Sequence, residues 1–402
     1  MNNNDSICTI WLTLFALRTL HNGEAKELTV PVAAATNDAK LARVLTGWLR
    51  NRLAEPGLEI VEVGRPTAGA SNETALLTIR SGGDGSDTSR LVCRIQPDEH
   101  QLFLHPDAVL EGKVLGAVRE MSPVRVPQVI AVEPSGEVIG VPMYIMSFVD
   151  GRVLPDIPSC HQQGWLVDCC PADRAAMWDN GLQEMVRVAQ IVSDGRLGFL
   201  VNAAAGDTAL SRLVAATREW FDWMRGEREL DVLSRAMAYL ERDQPDSDDS
   251  MLNWGDARPG NIIFDDDNDV AALIDWEMAS LGPAEVDLGW WLFMDEFYSA
   301  GLGVDPLPGV PNEDAQVRRW EELIGRSAEN LNYYKILAAM RFAIISARTF
   351  DRFADKGLLD PESLIYTRNP TAQILYRWLG EPVPEMAPEF AALLKTYAAG
   401  QG

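Results

Sequence analysis

Apolar residues recur from Asp38 onward at Leu41, Val44, Leu45, Trp48 and Leu49, which is one face of a helix. Residues 59–64 and 74–80 then read as strands, and a third run, residues 90–95, alternates strictly. That alternation puts Leu91, Cys93 and Ile95 on one face of a strand and Val92 and Arg94 on the other. A helix is predicted over residues 106–121, followed by two strands, residues 126–133 and 138–149, around a Pro134-Ser135-Gly136 turn. Beyond Gly151 the period changes to that of helices. Residues 172–197 carry Met177, Leu182, Met185, Val188 and Val192; residues 210–225 carry Trp220, Phe221 and Trp223; residues 230–240 form a third helix. Residues 262–264 and 270–274 pattern as a hairpin whose tip is Asp265-Asp266-Asp267-Asn268-Asp269. An apolar helix over residues 285–298 and a Pro/Gly loop at 305–311 come next. Tyr333, Leu337, Met340, Ile344 and Ala347 then make an amphipathic stripe.

Composition narrows the partners. The chain has 402 residues, enough for two or three lobes with their own cores, and its 47% hydrophobic content argues for a folded protein. With 35 basic and 59 acidic residues the net charge is −24, which repels nucleic acid and anionic membrane surfaces and speaks first to solubility. The five cysteines show no metal-site spacing, and they fit a reduced, cytoplasmic protein. Residues 1–35 contain an apolar run broken by Arg18 and preceded by no basic residue; they read as an N-terminal extension, neither a signal peptide nor a spanning helix.

The chemistry concentrates in Asn253-Trp254-Gly255-Asp256-Ala257-Arg258-Pro259-Gly260-Asn261 and, after the hairpin, Ile274-Asp275-Trp276-Glu277. Phosphoryl transfer requires a carboxylate to position the acceptor hydroxyl, hard oxygen ligands for Mg²⁺, and cations or N–H groups on the phosphates. Asp256 fits the first role, and Asn261 and Asp275, brought together by the hairpin, fit the second. Arg94 is the candidate phosphate cation and Glu111 its partner. The small residues Ala68, Gly69, Ala70, Ser71 and Asn72 between the first two strands suit a loop over phosphates, although any hairpin could carry such a turn. The strand ending at Met146, Ser147 and Val149 suits a hinge whose free backbone groups could read an adenine edge.

These two motifs resemble the catalytic loop and metal motif of the aminoglycoside phosphotransferase family, also called the phosphotransferase enzyme family. The likeness extends over about residues 38–350 in element order, and only the central motif is specific. It implies an α+β, bilobal protein-kinase-like fold: a small β-rich N-lobe, a five-stranded antiparallel sheet plus helix over residues 36–146, that binds the nucleotide, and a larger mainly helical C-lobe over residues 147–402 with the catalytic loop, metal site and acceptor site. It also implies ATP or GTP with Mg²⁺ as cosubstrates, a small-molecule hydroxyl as acceptor, cationic or an endogenous metabolite, and a monomer or homodimer. By position Asp256 resembles the catalytic aspartate, Asn261 and Asp275 the metal ligands, and Arg258 a side chain that helps hold the transferring phosphate. Asp287 matches a structural acid. The family usually has His where this chain has Trp254 and Lys where it has Arg94. Those two departures motivate an alternative, a nucleotide-binding pseudokinase or ligand sensor.

Overall fold

The computed structural model describes residues 38–391 apart from 66–72, 82–86, 98–100, 157, 192–194 and 202–203. Helix α1 (Asp38–Leu53) buries Leu41, Leu45 and Leu49, the four-residue steps of its apolar face. It packs on an antiparallel sheet of β1 (Glu59–Gly64), β2 (Glu73–Ser81), β3 (Asp87–Ile95), β4 (Val129–Glu133) and β5 (Met143–Ser147), in the order β1-β2-β3-β5-β4. Leu91 and Cys93 of β3 enter the core with α1. Val92 enters a second core with α2 (Ala108–Met121), and this core continues into the helical half of the molecule. Asp107 caps α2 by accepting from the Leu110 N–H at 2.8 Å.

The two later strands are shorter than their pattern predicts. Pro127 has no N–H to give a ladder, and the stretch before Met143 is a turn in which Gly140 has φ +101° and donates to the Gly136 carbonyl. The helix predicted over residues 172–197 ends earlier as well: α3 spans Pro171–Ala189, with Gln190 as its cap. Helices α4 (Ala209–Arg225) and α5 (Asp231–Arg242) follow. Short strands β6 (Met251–Asn253) and β9 (Ser280–Gly282) pair around the hairpin of β7 (Ile262–Phe264) and β8 (Val270–Leu273).

The helical half is completed by α6 (Glu285–Tyr298), α7 (Glu313–Ile324), α8 (Leu331–Asp355) and α9 (Pro370–Trp378). Here the sequence pattern misleads: α8 is buried on all sides from Tyr333 to Ala347, not on one stripe. Alanines at 338, 339, 343 and 347 keep it slim. At Gly289 of α6 an added Cβ would stand 2.6 Å from the Tyr334 backbone, so α6 and α8 cross at a distance only glycine permits. That crossing fixes where Trp290 and Arg341 point.

The segment between β3 and α2 is tied to the helical half. Arg348 of α8 donates to the Gln101 carbonyl at 3.2 Å, the Trp220 indole of α4 donates to the Leu102 carbonyl at 2.9 Å, and Phe103 stacks on Trp220. Among the described residues no helix is long and apolar enough to cross a membrane, and Cys93, Cys160, Cys169 and Cys170 are free thiols.

Candidate active site

The candidate catalytic loop lies between β6 and β7 and is shaped by its backbone. Gly255 has φ +94°, and a Cβ there would meet the Met278 carbonyl oxygen at 2.1 Å, so no other residue fits. Asp287, in the first turn of α6, accepts from the Trp254 and Gly255 N–H groups at 2.6 and 2.8 Å. It does so at 1% exposure, and burial pushes its carboxyl up to about 6 against those two hydrogen bonds. Asp287, which by position matches a structural acid, thus makes its main contact with the backbone of the loop.

Asp256 is 2% exposed and has both oxygens engaged. Oδ1 accepts from the Trp290 indole at 2.8 Å and Oδ2 from the Asn261 amide at 2.6 Å, while Arg258 Nε stands 3.2 Å from Oδ1. Burial pushes the carboxyl up to about 7; Asp275 adds to the rise, and Arg258, Trp290 and Asn261 oppose it. Arg258 is fully buried between Asp156 and Asp256 and donates to the Tyr298 hydroxyl at 3.3 Å. Burial works against its charge, yet the carboxylates and Tyr298 hold the guanidinium above its usual range. Its donors are aimed at protein groups, which makes it a support for Asp256.

Asn261 donates its amide to both the carbonyl and the carboxylate of Asp256, at 3.1 and 2.6 Å, and this orientation turns its Oδ1 away from the acid. Across the hairpin Ile262 pairs with Leu273, and the Ile274 N–H donates to the Asn261 carbonyl at 3.0 Å, so Asn261 and Asp275 share one end of the hairpin. Asp275 has φ +63°, a strained backbone for a side-chain-bearing residue. Its neighbours hold it there: the Trp254 indole donates to the Ile274 carbonyl at 2.9 Å, and Glu111 accepts from the Trp276 N–H at 3.2 Å.

Arg94 links the sheet to this corner. It stands 3.5 Å from Glu111, 3.3 Å from Asp275 and 3.8 Å from Glu277. Burial opposes its charge and these acids outweigh that, while burial pushes Glu111 upward. At the hinge the Ser147 N–H goes to the Gln128 carbonyl and the Phe148 N–H to the Arg90 carbonyl. Among the described residues the Val149 backbone makes no hydrogen bond, and Met146 is buried in β5. Ala68 to Asn72 lie outside the described residues, as does the extension over residues 1–35.

A cation would find hard oxygen donors here, the Asp275 carboxylate and the Asn261 amide oxygen. Among the described residues no group of three or more His, Cys, Asp or Glu side chains could hold a metal by itself. That donor set fits an Mg²⁺ ion completed by phosphate oxygens and water. A cavity of about 810 Å³ elsewhere, bounded by Gln96, Leu110, Phe199, Arg212 and Leu281, contains none of these groups.

Asp156, Trp290 and Arg341 surround this corner without having been singled out in the sequence, and Glu277 was quoted in the second motif without a role. Of the three unmarked residues Arg341 carried a signal, a charge inside an otherwise apolar helical run.

Residues 62–315 match the model of the phosphotransferase enzyme family, which is more than half of the chain, and the chain belongs to that family. A Ralstonia eutropha protein described as a putative aminoglycoside phosphotransferase is 23% identical and superposes with a TM-score of 0.63 over 84% of this chain and 98% of its own. A macrolide 2′-phosphotransferase of type I is 16% identical with a TM-score of 0.52, over 82% and 95%. These establish the α+β, protein-kinase-like fold. In sequence the chain is similar to a probable acyl-CoA dehydrogenase of Arabidopsis thaliana, 28% identical over 234 residues, and to acyl-CoA dehydrogenase family member 11 of Gallus gallus, 26% over 230. Those matches cover 55% and 54% of this chain but only 26% and 28% of the relatives, so the chain spans little more than a quarter of their length.

Proposed function

We propose that this phosphotransferase is an ATP- and Mg²⁺-dependent kinase acting on the hydroxyl of a small molecule, with GTP as the other candidate donor. One observation carries the reading: Asp256, oriented by Trp290 and Asn261, stands beside a hairpin end that offers Asn261 and Asp275 together. In the reaction the acceptor oxygen forms a bond to the γ-phosphorus, the bond from that phosphorus to the β-phosphate oxygen breaks, and the nucleoside diphosphate leaves. The hydroxyl proton passes to Asp256, whose carboxyl, near 7, both holds the hydroxyl in line and accepts its proton near neutrality. Arg94 supplies positive charge to the phosphates from β3, and Glu111 keeps it in place. A bound Mg²⁺ would neutralise the charge that develops between the β- and γ-phosphates. The sheet half, residues 36–146, would take the nucleotide and residues 147–402 the acceptor.

A fold neighbour with a TM-score of 0.51, 13% identical, is a ternary complex of an aminoglycoside phosphotransferase with AMP-PNP and hygromycin B, which supports a site shared by a nucleotide and a small molecule. The longer relatives' dehydrogenase activity is not carried over to this chain; their names make an endogenous metabolite a competitor to an aminoglycoside-like acceptor. Trp254 tightens the backbone before Asp275, which removes part of the motive for a pseudokinase. Nucleotide consumption by the purified protein with Mg²⁺, across a library of hydroxylated amines and metabolites, tests the proposal. Stabilisation by ATP and Mg²⁺ with no transfer to any of them would favour the ligand-sensor reading instead.

A further inference from the structure

Three buried arginines surround the catalytic loop, and they differ in what occupies their donors. Arg258 is saturated by protein groups and Arg94 is shared among three acids. Arg341, on α8, has neither arrangement. It is 6% exposed, yet among the described residues its guanidinium forms no hydrogen bond and no ion pair; its close partner is the Trp290 ring, 5.6 Å from the centroid. Burial lowers its pKa to about 10 although Asp287 and Asp256 both attract it. Neither acid hydrogen-bonds it: Asp287 accepts from the two loop N–H groups, and Asp256 is engaged by Trp290, Asn261 and Arg258.

A guanidinium carries five N–H donors in a planar fork suited to a carboxylate, and leaving a buried charge without hydrogen bonds is costly. None of the Arg341 nitrogens is among the sealed, partnerless atoms of the interior, so the fork keeps a little accessible space although the residue is buried. Trp290 places that space near the reaction, because its ring carries Arg341 while its N–H holds Asp256. We propose that Arg341 is the acceptor-specificity residue and that it binds the carboxylate of a hydroxycarboxylic acid whose hydroxyl is presented to Asp256. This rests on the kinase reading above and selects, among its acceptors, an anion over a polycation. The −24 net charge does not oppose it, because recognition of a small anion is decided by the local cation.

The test uses the full chain with Mg²⁺ and a non-hydrolysable ATP analogue, titrated calorimetrically with hydroxycarboxylates of increasing chain length, with their primary amides and with an aminocyclitol. The carboxylates are expected to bind at least tenfold more tightly than the matched amides. R341Q should erase that difference while keeping the wild-type nucleotide affinity, and R341K should retain part of it. Absence of carboxylate binding, equal affinity for acid and amide, preference for the aminocyclitol, or a preference that survives in R341Q would each overturn the assignment. Should R341Q fail to fold, the acid-against-amide comparison in the wild type still decides. Turnover with ATP separates the two levels: carboxylate binding without transfer sinks the kinase reading alone, and efficient transfer to cationic or uncharged alcohols in preference to acids sinks the Arg341 assignment alone.

Discussion

Arg258 and Arg94 both lie buried between carboxylates, and they are held in opposite ways. Arg258 is fully enclosed and bonded at short range to Asp156, Asp256 and Tyr298, all from the helical half and its catalytic loop. Arg94 comes from the sheet, and its acids stand at 3.3 to 3.8 Å, with the Nε to Glu111 contact an ion pair that is not a hydrogen bond. The first cluster is a finished support, pre-organised before any ligand arrives. The second spans two parts of the fold: Nη1 donates to Thr74 at 3.2 Å and Nη2 to Asp275 at 3.3 Å, and Nε is left without a hydrogen bond. Rigidity is therefore spent on Asp256, the proposed base, and the looser contacts are kept at Arg94, where the proposal puts the phosphates.

The largest test of that division is Asp256→Ala. Turnover should fall by about a thousandfold, about 4 kcal/mol in the barrier, while ATP affinity measured by titration stays within a few-fold of wild type. Joint loss of both would show that the two clusters act as one. Arg94→Met removes the cation between buried acids and should cost about 3–5 kcal/mol of stability by urea denaturation, together with nucleotide affinity. A stability change under about 1 kcal/mol would mean the cluster is already solvated.

The third prediction concerns the base of the loop. The Asp287 carboxyl, at about 6, lies above its ordinary 3.8, so the native protein keeps a proton that the unfolded chain has released. The resulting stabilisation is complete below about pH 4 and gone above about pH 6.5. Denaturation of wild type and Asp287→Asn across that window should show the wild type gaining on the variant as pH falls, by up to about 3 kcal/mol. A constant difference would place the titration elsewhere. The smallest effect expected is for Trp254→Phe, which keeps the packing against Trp276 and deletes the bond to the Ile274 carbonyl. About 1 kcal/mol of stability should go. Since that bond joins the tight cluster to the loose one, the variant should weaken nucleotide binding more than it changes the pH profile of turnover.

The sheet and the hairpin were legible because alternating runs bounded by turns mark strands in the sequence; Leu91 and Cys93 take one face of β3 and Val92 and Arg94 the other, although both faces are buried. The candidate site was legible through spacing, since a five-residue loop and a hairpin bring Asp256, Asn261 and Asp275 together with little help from the rest of the chain. What supports them was not. Asp156 stands 102 residues before Arg258 and Trp290 lies 34 after Asp256, and nothing local marks either as a partner. Trp290 reads as core because it is core everywhere except at its N–H. The stripe on α8 looked amphipathic because alanines count as filler in a periodic pattern, whereas here they are what lets neighbouring helices close in from every side.

The tether at Gln101 and Leu102 has a mechanical consequence. With those two carbonyls fixed to Arg348 and Trp220, the approach to α2 is anchored in the helical half, while α2 itself packs on β4 and β5. The helix is thus a strut with one footing in each half, and any displacement of the sheet against the helices would have to strain one of the two footings.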